Sequence, residues 1–448
     1  MNKKLFASIL VFAFSVFIFA ENEIPDSSSI RASLIETWFE APLALVRLNE
    51  TEVKKNEAGE EFQISLEETE NTFTIVVAPR AMLAMNVYEK DGKQTRLETV
   101  YPKEAQGSWI LSRNKNDGSA NYIRYYFSSD TNVYVQFDPS KTTSEGNFIL
   151  YNFYAVRGNP TGVPFSYFYK ASFNEVKKLM NKFPWEYADH DSQLYENEKN
   201  MIQTIRSRLS DLVYADDAMY DEFGKPVSIL TGKEREVAKE DADKLSLSSA
   251  GFVKWIADGI VNPMTNGALK REPLLQKTVS YNEVGYQGIL QQTYSTSFAL
   301  DWTRNIATAL FSIESEKMIR YENAGIDMKE EPFASVLTEN GMQKNAGYIK
   351  DTGYKAADLV PLLYVLASRY PGEFYFAAIR QIDRKAKPEI KFFSECAVIF
   401  PYFDATGSFQ CAVFRNGKEY TLSKFVANFR DDFVHLTRAR SVNQFTPQ

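Results

Sequence analysis

The chain has 448 residues, with 51 Lys and Arg against 58 Asp and Glu for a formal net charge of −7, and only 2 His and 2 Cys. A single hydrophobic core stops growing at about 250 to 300 residues, so two or three domains are expected. A hydrophobic share of 44% excludes a wholly disordered chain. The mild acidity and the dispersed Lys and Arg argue against a nucleic-acid partner. So few His and Cys cannot build a zinc ribbon or a His-rich metal centre, although carboxylates alone could hold a hard cation.

At the N-terminus Lys3 and Lys4 precede an apolar run from Leu5 to Ala20 and then the polar residues Glu21 to Glu23. This is the pattern of a cleavable secretory signal peptide, too short to span a bilayer, with cleavage expected after Ala20. No Cys near that junction offers a lipid anchor, and no later stretch is long and apolar enough to cross a membrane. The mature chain is therefore expected to be exported, periplasmic or extracellular, without a transmembrane span.

Residues 21–160 read as a β-rich domain. Short β-rich runs alternate with turn signals from Phe73 to Ala155, among them Tyr122 to Phe127, Asn132 to Phe137 and Phe148 to Tyr154. Ile123, Tyr125 and Phe127 share one face, as do Val133, Val135 and Phe137, the period-2 burial of an antiparallel β-sandwich. Tyr122, Tyr125, Tyr126, Tyr151 and Tyr154 could stack on a glycan, but strands favour aromatics for packing alone.

A break at Arg157 to Gly162 opens residues 161–240, read as a helical linker region. Met201, Ile202, Ile205, Leu209 and Leu212 form one helical face. His190, between Asp189 and Asp191, reads as an exposed loop residue. Asp216, Asp217, Asp221 and Glu222 lack the spacing of a calcium loop and read as a solvated turn.

Residues 241–448 put helices first and strands last, an α+β arrangement. Ser248 and Ser249 are good capping residues for a helix carrying Phe252, Val253, Ile256 and Ile260. A second helix carries Phe298, Trp302, Ile306, Leu310 and Ile313, with Asp301 and Arg304 spaced to pair, and a third runs from Leu359 to Arg369. Strands follow at Phe374 to Ile379, Phe392 to Phe400, Phe409 to Phe414 and Phe433 to Arg438. The turn at Asp404 to Ser408 pairs Pro401 with Cys411 and puts Cys396 and Cys411 on opposite faces, which forbids a disulfide and leaves two reduced, buried cysteines.

The chain carries no nucleotide-binding glycine loop, serine elbow or zinc-protease motif, so no cofactor is expected. The phrase Leu247-Ser248-Ser249-Ala250-Gly251-Phe252-Val253-Lys254-Trp255 resembles the nucleophile motif of NlpC-type papain-like peptidoglycan peptidases, in which Asp-Cys-Ser-Gly-Phe-Val opens the active-site helix. Pro371-Gly372-Glu373-Phe374-Tyr375-Phe376 resembles the family's strand entry, and Cys396-Ala397-Val398-Ile399-Phe400 stands where the family's hairpin strand begins with the catalytic His. The resemblance implies a papain-like fold for the C-terminal half. It places Ser249 in the nucleophile's position, Cys396 in that of the His, or Glu395 if the register slips by one, and Gly251 and Trp255 among ligand-binding residues.

Both catalytic types are then replaced, and a hydroxyl is a poor nucleophile without a base. The reading is an exported cell-envelope protein with a degenerate, non-catalytic papain-like domain that binds cell-wall peptide or glycan, with peptidoglycan as the partner. Two alternatives stand beside it. One is an active peptidoglycan hydrolase that uses Ser249 with His435 as base. The other is a β-sandwich adhesin or scaffold in which Ser249 merely caps a helix.

Overall fold

The structure is a computed structural model, and it describes residues 24–89, 92–279, 295–338, 341–343, 346–383 and 389–447. The expected signal peptide lies outside the described residues.

The N-terminal unit opens with α1 (Ser28–Leu34) and α2 (Leu43–Val46). The strands β1 (Glu52–Lys55), β2 (Glu61–Glu68) and β3 (Thr72–Pro79) follow, and β4 (Ala81–Glu89) and β5 (Gly92–Val100) form a separate hairpin. Then come β6 (Trp109–Asn114), β7 (Ala120–Tyr125), β8 (Val133–Ser140), β9 (Thr143–Leu150) and β10 (Phe153–Pro160). Together they build one eight-stranded antiparallel sheet in the order β1-β2-β3-β6-β7-β8-β9-β10. Alternation decides its faces: Ile123, Tyr125 and Phe127, with Val133, Val135 and Phe137, point into one core as their spacing requires.

The sandwich is corrected to this single sheet. Successive strands pair with their sequence neighbours, and the second layer is supplied by helical segments carrying Trp38, Phe39, Phe168 and Phe173. Arg31 pins α1 to the sheet. Its buried guanidinium donates to the Tyr125 hydroxyl at 3.1 Å and to the carbonyls of Tyr169 at 3.1 Å and Ala171 at 2.8 Å. The single strand expected over Phe148 to Tyr154 is broken by a tight turn at Tyr151 and Asn152 that joins β9 to β10. Tyr151 and Asn152 both take positive φ, 50° and 67°, the geometry of a two-residue hairpin turn that usually selects Asn and Gly.

The segment between the two large sheets contains α3 (Phe173–Leu179) and α4 (Glu196–Arg208). Its first part, with Phe168, Phe173, Val176, Tyr187 and Tyr195, belongs to the core of the eight-stranded sheet, so it is no linker. The expected helix is shorter than its apolar spacing suggested. After Arg208 a 3-10 turn over Leu209–Asp211 leads into β11 (Leu212–Tyr214). The short strands β12 (Ala218–Tyr220), β13 (Pro226–Ser228) and β14 (Leu245–Leu247) follow, and β11 pairs in parallel with β14. The acidic stretch ties its own turns: Asp221 Oδ1 accepts from Phe223 N at 2.9 Å and from Lys225 N at 2.8 Å.

The C-terminal unit begins with α5 (Ser249–Thr265), α6 (Arg271–Leu274), α7 (Phe298–Glu314) and α8 (Tyr321–Ala324). The elements β15 (Val336–Thr338), β16 (Gly341–Gln343), β17 (Tyr354–Lys355) and α9 (Leu359–Arg369) follow. The chain ends with β18 (Glu373–Asp383), β19 (Ile390–Phe403), β20 (Phe409–Arg415), β21 (Lys418–Thr421), α10 (Leu422–Asn428) and β22 (Phe433–Arg440). The second large sheet is antiparallel in the order β17-β22-β18-β19-β20-β21, so the fold class is α+β.

One face of that sheet, with Phe374, Phe376, Val398 and Phe414, packs on α5 and α7. The other, with Tyr375, Ile379, Ile399 and Val413, packs on α9 and joins the core of the eight-stranded sheet. Pro401 pairs with Cys411 as expected, and both cysteines are free, but Cys411 is half-buried where full burial was expected. Beyond β22 the chain returns to α5, where Thr446 N donates to the Gly259 carbonyl at 2.9 Å and Arg208 Nη1 donates to the Pro447 carbonyl at 3.0 Å.

A core that runs through both sheets predicts one cooperative transition for the full chain. Scanning calorimetry is expected to give a single endotherm with equal calorimetric and van't Hoff enthalpies. Two resolved transitions would mean that the sheets unfold independently.

Candidate functional site

The first turn of α5 is built by local chemistry. Ser248 is extended, accepts from Gly251 N at 3.1 Å and donates to the Ala218 carbonyl at 3.0 Å, so it caps the helix and ties it to β12. A Cβ on Gly251 would lie 2.1 Å from the same carbonyl, so that position admits only glycine. The half-buried Ser249 follows as the first helical residue, and its Oγ accepts the backbone N–H of Cys396 at 3.4 Å. Gly251 and Trp255 line a small cavity of about 90 Å³ together with Tyr220, Lys254 and Asp258. Lys254, itself buried, donates to Asp258 Oδ2 at 2.6 Å.

The sheet arranges the other sequence-derived residues in a row. Ala378 on β18 faces Cys396 on one side and His435 on the other, so the three side chains share the face toward α7. Ser249 meets this row at Cys396. His435 stands two strands further on, about 10 Å away at the usual strand spacing. No hydrogen bond joins it to Ser249; its Nε2 lies 3.3 Å from Arg304 Nη2 and from the Tyr348 hydroxyl, and 3.5 Å from Asp327 Oδ2.

The Cys396 thiol is fully buried, with Sγ 4.0 Å from the Ala299 carbonyl, and burial pushes it far above the usual thiol range. A thiol held protonated cannot take a proton from Ser249. Glu395 pairs with Ile379 and so projects from the opposite face, where its Oε2 lies 2.9 Å from Arg415 Nη1. Among the described residues, then, the Ser249 hydroxyl has neither an imidazole nor a carboxylate as a hydrogen-bond partner.

The densest ionic chemistry lies at the other end of the row. Arg304, on the buried face of α7, donates through Nε and Nη2 to both oxygens of Asp327 at 3.1 and 2.6 Å, and through Nη2 to Asp351 at 2.9 Å. The expected pairing of Asp301 with Arg304 does not form. Asp301 instead accepts from Thr278 N and Oγ1, both at 2.7 Å, and from Ser297 Oγ at 2.7 Å.

The Arg304 cation lies 4.7 Å from the Tyr321 ring centroid, and the Tyr321 hydroxyl donates to Asp327 at 2.9 Å. Burial would raise the Asp327 carboxyl, but hydrogen bonds and charge from His435 and Arg304 hold it well below the usual carboxylate range. Burial likewise pushes the His435 imidazole down, against the attraction of Asp327, and its buried Nδ1 has no hydrogen-bond partner among the described residues. Gly353, at φ +93°, lets the turn before β17 lie directly on the β22 backbone and so delivers Asp351, itself at φ +53°, to Arg304.

A wider crevice of about 810 Å³ opens where the two large sheets meet, between Ser128 and Ser129, the segment from Ala188 to Gln193, and the β19–β20 turn. His190 lines it and is not the exposed loop residue its acidic neighbours suggested. Its ring stacks on Phe403 with centroids 3.4 Å apart, its Nε2 lies 3.0 Å from the Tyr364 hydroxyl, and burial lowers it to about 4.

Residues 20–187 match the family described as a domain of unknown function, DUF8515. The match ends before α4, within the segment that completes the core of the eight-stranded sheet. No curated protein and no solved structure matches the chain.

Removing Arg304 leaves Asp327 buried and unpaired, so Arg304→Met is expected to cost about 3 to 5 kcal/mol in urea unfolding. Arg304→Met with Asp327→Leu removes both charges and is expected to recover most of that loss. A double variant no more stable than the single one would show that the pair does not act as a unit. His190 is neutral in the fold and has an ordinary value of 6.5 when unfolded, so its contribution is complete above about pH 6.5 and is lost as pH falls toward 4. Across that window the wild type is expected to lose stability relative to His190→Gln, with a slope of at most about 1.4 kcal/mol per pH unit. Parallel profiles would show that His190 is not buried neutral.

Proposed function

We propose that this is an exported cell-envelope protein whose C-terminal α+β unit is an NlpC-type papain-like scaffold without catalysis, serving to bind cell-wall peptide or glycan. One observation carries the reading. Ser249, on the first turn of α5, takes the N–H of Cys396 at 3.4 Å, so the two residues that stand for the family's nucleophile and His adjoin each other. A helix start beside a hairpin strand is the geometry that such an enzyme needs. Its chemistry needs a thiolate and an imidazole, and here there are a hydroxyl and a thiol held protonated by burial.

Export is supported by the apolar run after Lys3 and Lys4. No helix among the described residues is long and apolar enough to cross a membrane. Binding without turnover uses what remains: a rigid sheet and helix framework with polar recesses at its surface.

The test incubates the mature chain, residues 21–448, with purified peptidoglycan, and reads co-sedimentation together with mass spectrometry of released fragments. Co-sedimentation with no fragments from either wild type or Ser249→Ala is expected. Fragments released by wild type and lost in Ser249→Ala would make Ser249 a nucleophile and overturn the non-catalytic reading. Failure to co-sediment would overturn the binding reading.

A further inference from the structure

The crevice where the two large sheets meet has the size and lining of a ligand site, and nothing in the sequence motifs points to it. Its volume of about 810 Å³ falls within the range of about 300 to 1,000 Å³ that small-molecule and oligomer subsites occupy. It lies at the junction of two structural units, where such sites concentrate. Phe403 backs His190, and the β19–β20 turn lies beside Ser129, where a Cβ on Gly407 would be in ordinary van der Waals contact with Ser129 Oγ at 3.4 Å.

Several polar groups in the walls have unspent hydrogen-bonding capacity. Asp191 uses Oδ1 to accept from Gln193 N at 2.9 Å, which leaves Oδ2 free among the described residues. The side chains of exposed Ser129 and Gln193 line the crevice and make no hydrogen bonds within the described residues. A carboxylate, a hydroxyl and a carboxamide therefore line the crevice from two segments, a mixture of donors and acceptors suited to pairs of neighbouring hydroxyls.

Charge narrows the ligand further. The single ammonium in the lining, Lys177, is taken by Asp189 at 2.8 and 2.9 Å, and Asp191 and Asp404 leave an excess of carboxylate. Phosphate and uronate ligands are repelled by such a lining. A peptide is served poorly too, because the walls offer only the methyls of Ala188 and Ala405 among aliphatic side chains and so no pocket for an apolar side chain.

We infer that this crevice binds an uncharged, hydroxyl-rich saccharide segment, and that it, not the first turn of α5 at Ser249, is where the protein holds cell-wall glycan. The inference rests on the binding reading above and adds the ligand class and the place.

The experiment titrates the mature chain with chitotetraose and, separately, with tetragalacturonate at pH 7 by calorimetry, using wild type, Gln193→Ala, Ser129→Trp and Ser249→Ala. Chitotetraose is expected to bind at least 10-fold more tightly than tetragalacturonate. Ser129→Trp, which fills the mouth from an exposed position, is expected to weaken it at least 10-fold, and Gln193→Ala about 5-fold. Ser249→Ala is expected to leave affinity unchanged, with melting temperatures of all variants checked for folding. No binding of chitotetraose, or equal binding by the folded Ser129→Trp and Gln193→Ala variants, overturns the crevice assignment, as does preference for the galacturonate. If peptidoglycan still co-sediments in those cases, only the crevice falls and the broader binding reading stands. If chitotetraose binds as expected while peptidoglycan does not co-sediment, the crevice stands and the cell-wall partner falls.

Discussion

Tyr364, near the middle of α9, meets both large sheets. Its ring packs edge-on against Tyr151 of the β9–β10 turn and against Phe403 of β19, and its hydroxyl donates to the Tyr187 carbonyl at 2.8 Å. The helix around it is apolar on every side, with Leu359, Leu362, Leu363, Val365 and Leu366 all buried, and such a helix is stable only when covered all round. Neither sheet alone covers it. The two units therefore share one core, and the polar crevice is the open margin of that shared interface. Tyr151 shows how tightly the seam is set: a residue with a large side chain is held at φ +50°, its hydroxyl bonded to Asp130 at 2.5 Å.

Much of this was readable from the chain because most of its elements obey one period. The β7 and β8 faces, the helices α5, α7 and α9, and the β19–β20 register with Pro401 opposite Cys411 all follow from spacing and turn residues. The misreadings come where long-range partners override local pattern. Leu209 and Leu212 continue the helical spacing of Met201, yet the backbone of Leu212 is claimed by a parallel partner, Leu245. The Leu150 to Phe153 run is apolar or aromatic apart from Asn152, which is the single local mark of the turn. The second sheet of a sandwich was inferred from alternation, which specifies that one face is buried but not what covers it.

The candidate site divides in the same way. The helix start at Ser248 and Ser249 is a local signal and was legible, whereas the neighbourhood of Ser249 depends on which β19 residue the sheet brings to it. A bulge at Ser394, between the Ile379–Glu395 and Arg380–Phe393 pairs, sets that register and turns Cys396 toward the helices and Glu395 away. Arg304 was visible as the one basic residue of a largely apolar helix. Its partners were not, since Asp327, Asp351 and His435 lie 23, 47 and 131 residues away along the chain. A buried cation at that depth requires counter-charges, and the sequence offered many carboxylates from which to choose.

The last strand of the chain, β22, occupies an interior place in its sheet, between β17 and β18, and the residues after it lie along α5. The six-stranded sheet therefore cannot be completed before residues 433–440 have been made. Until residues 433–440 have emerged, β18 lacks one neighbour, Arg304 lacks His435, and the back of α5 is uncovered. Folding of this half is therefore closed by β22, in the manner of a zip pulled from its end.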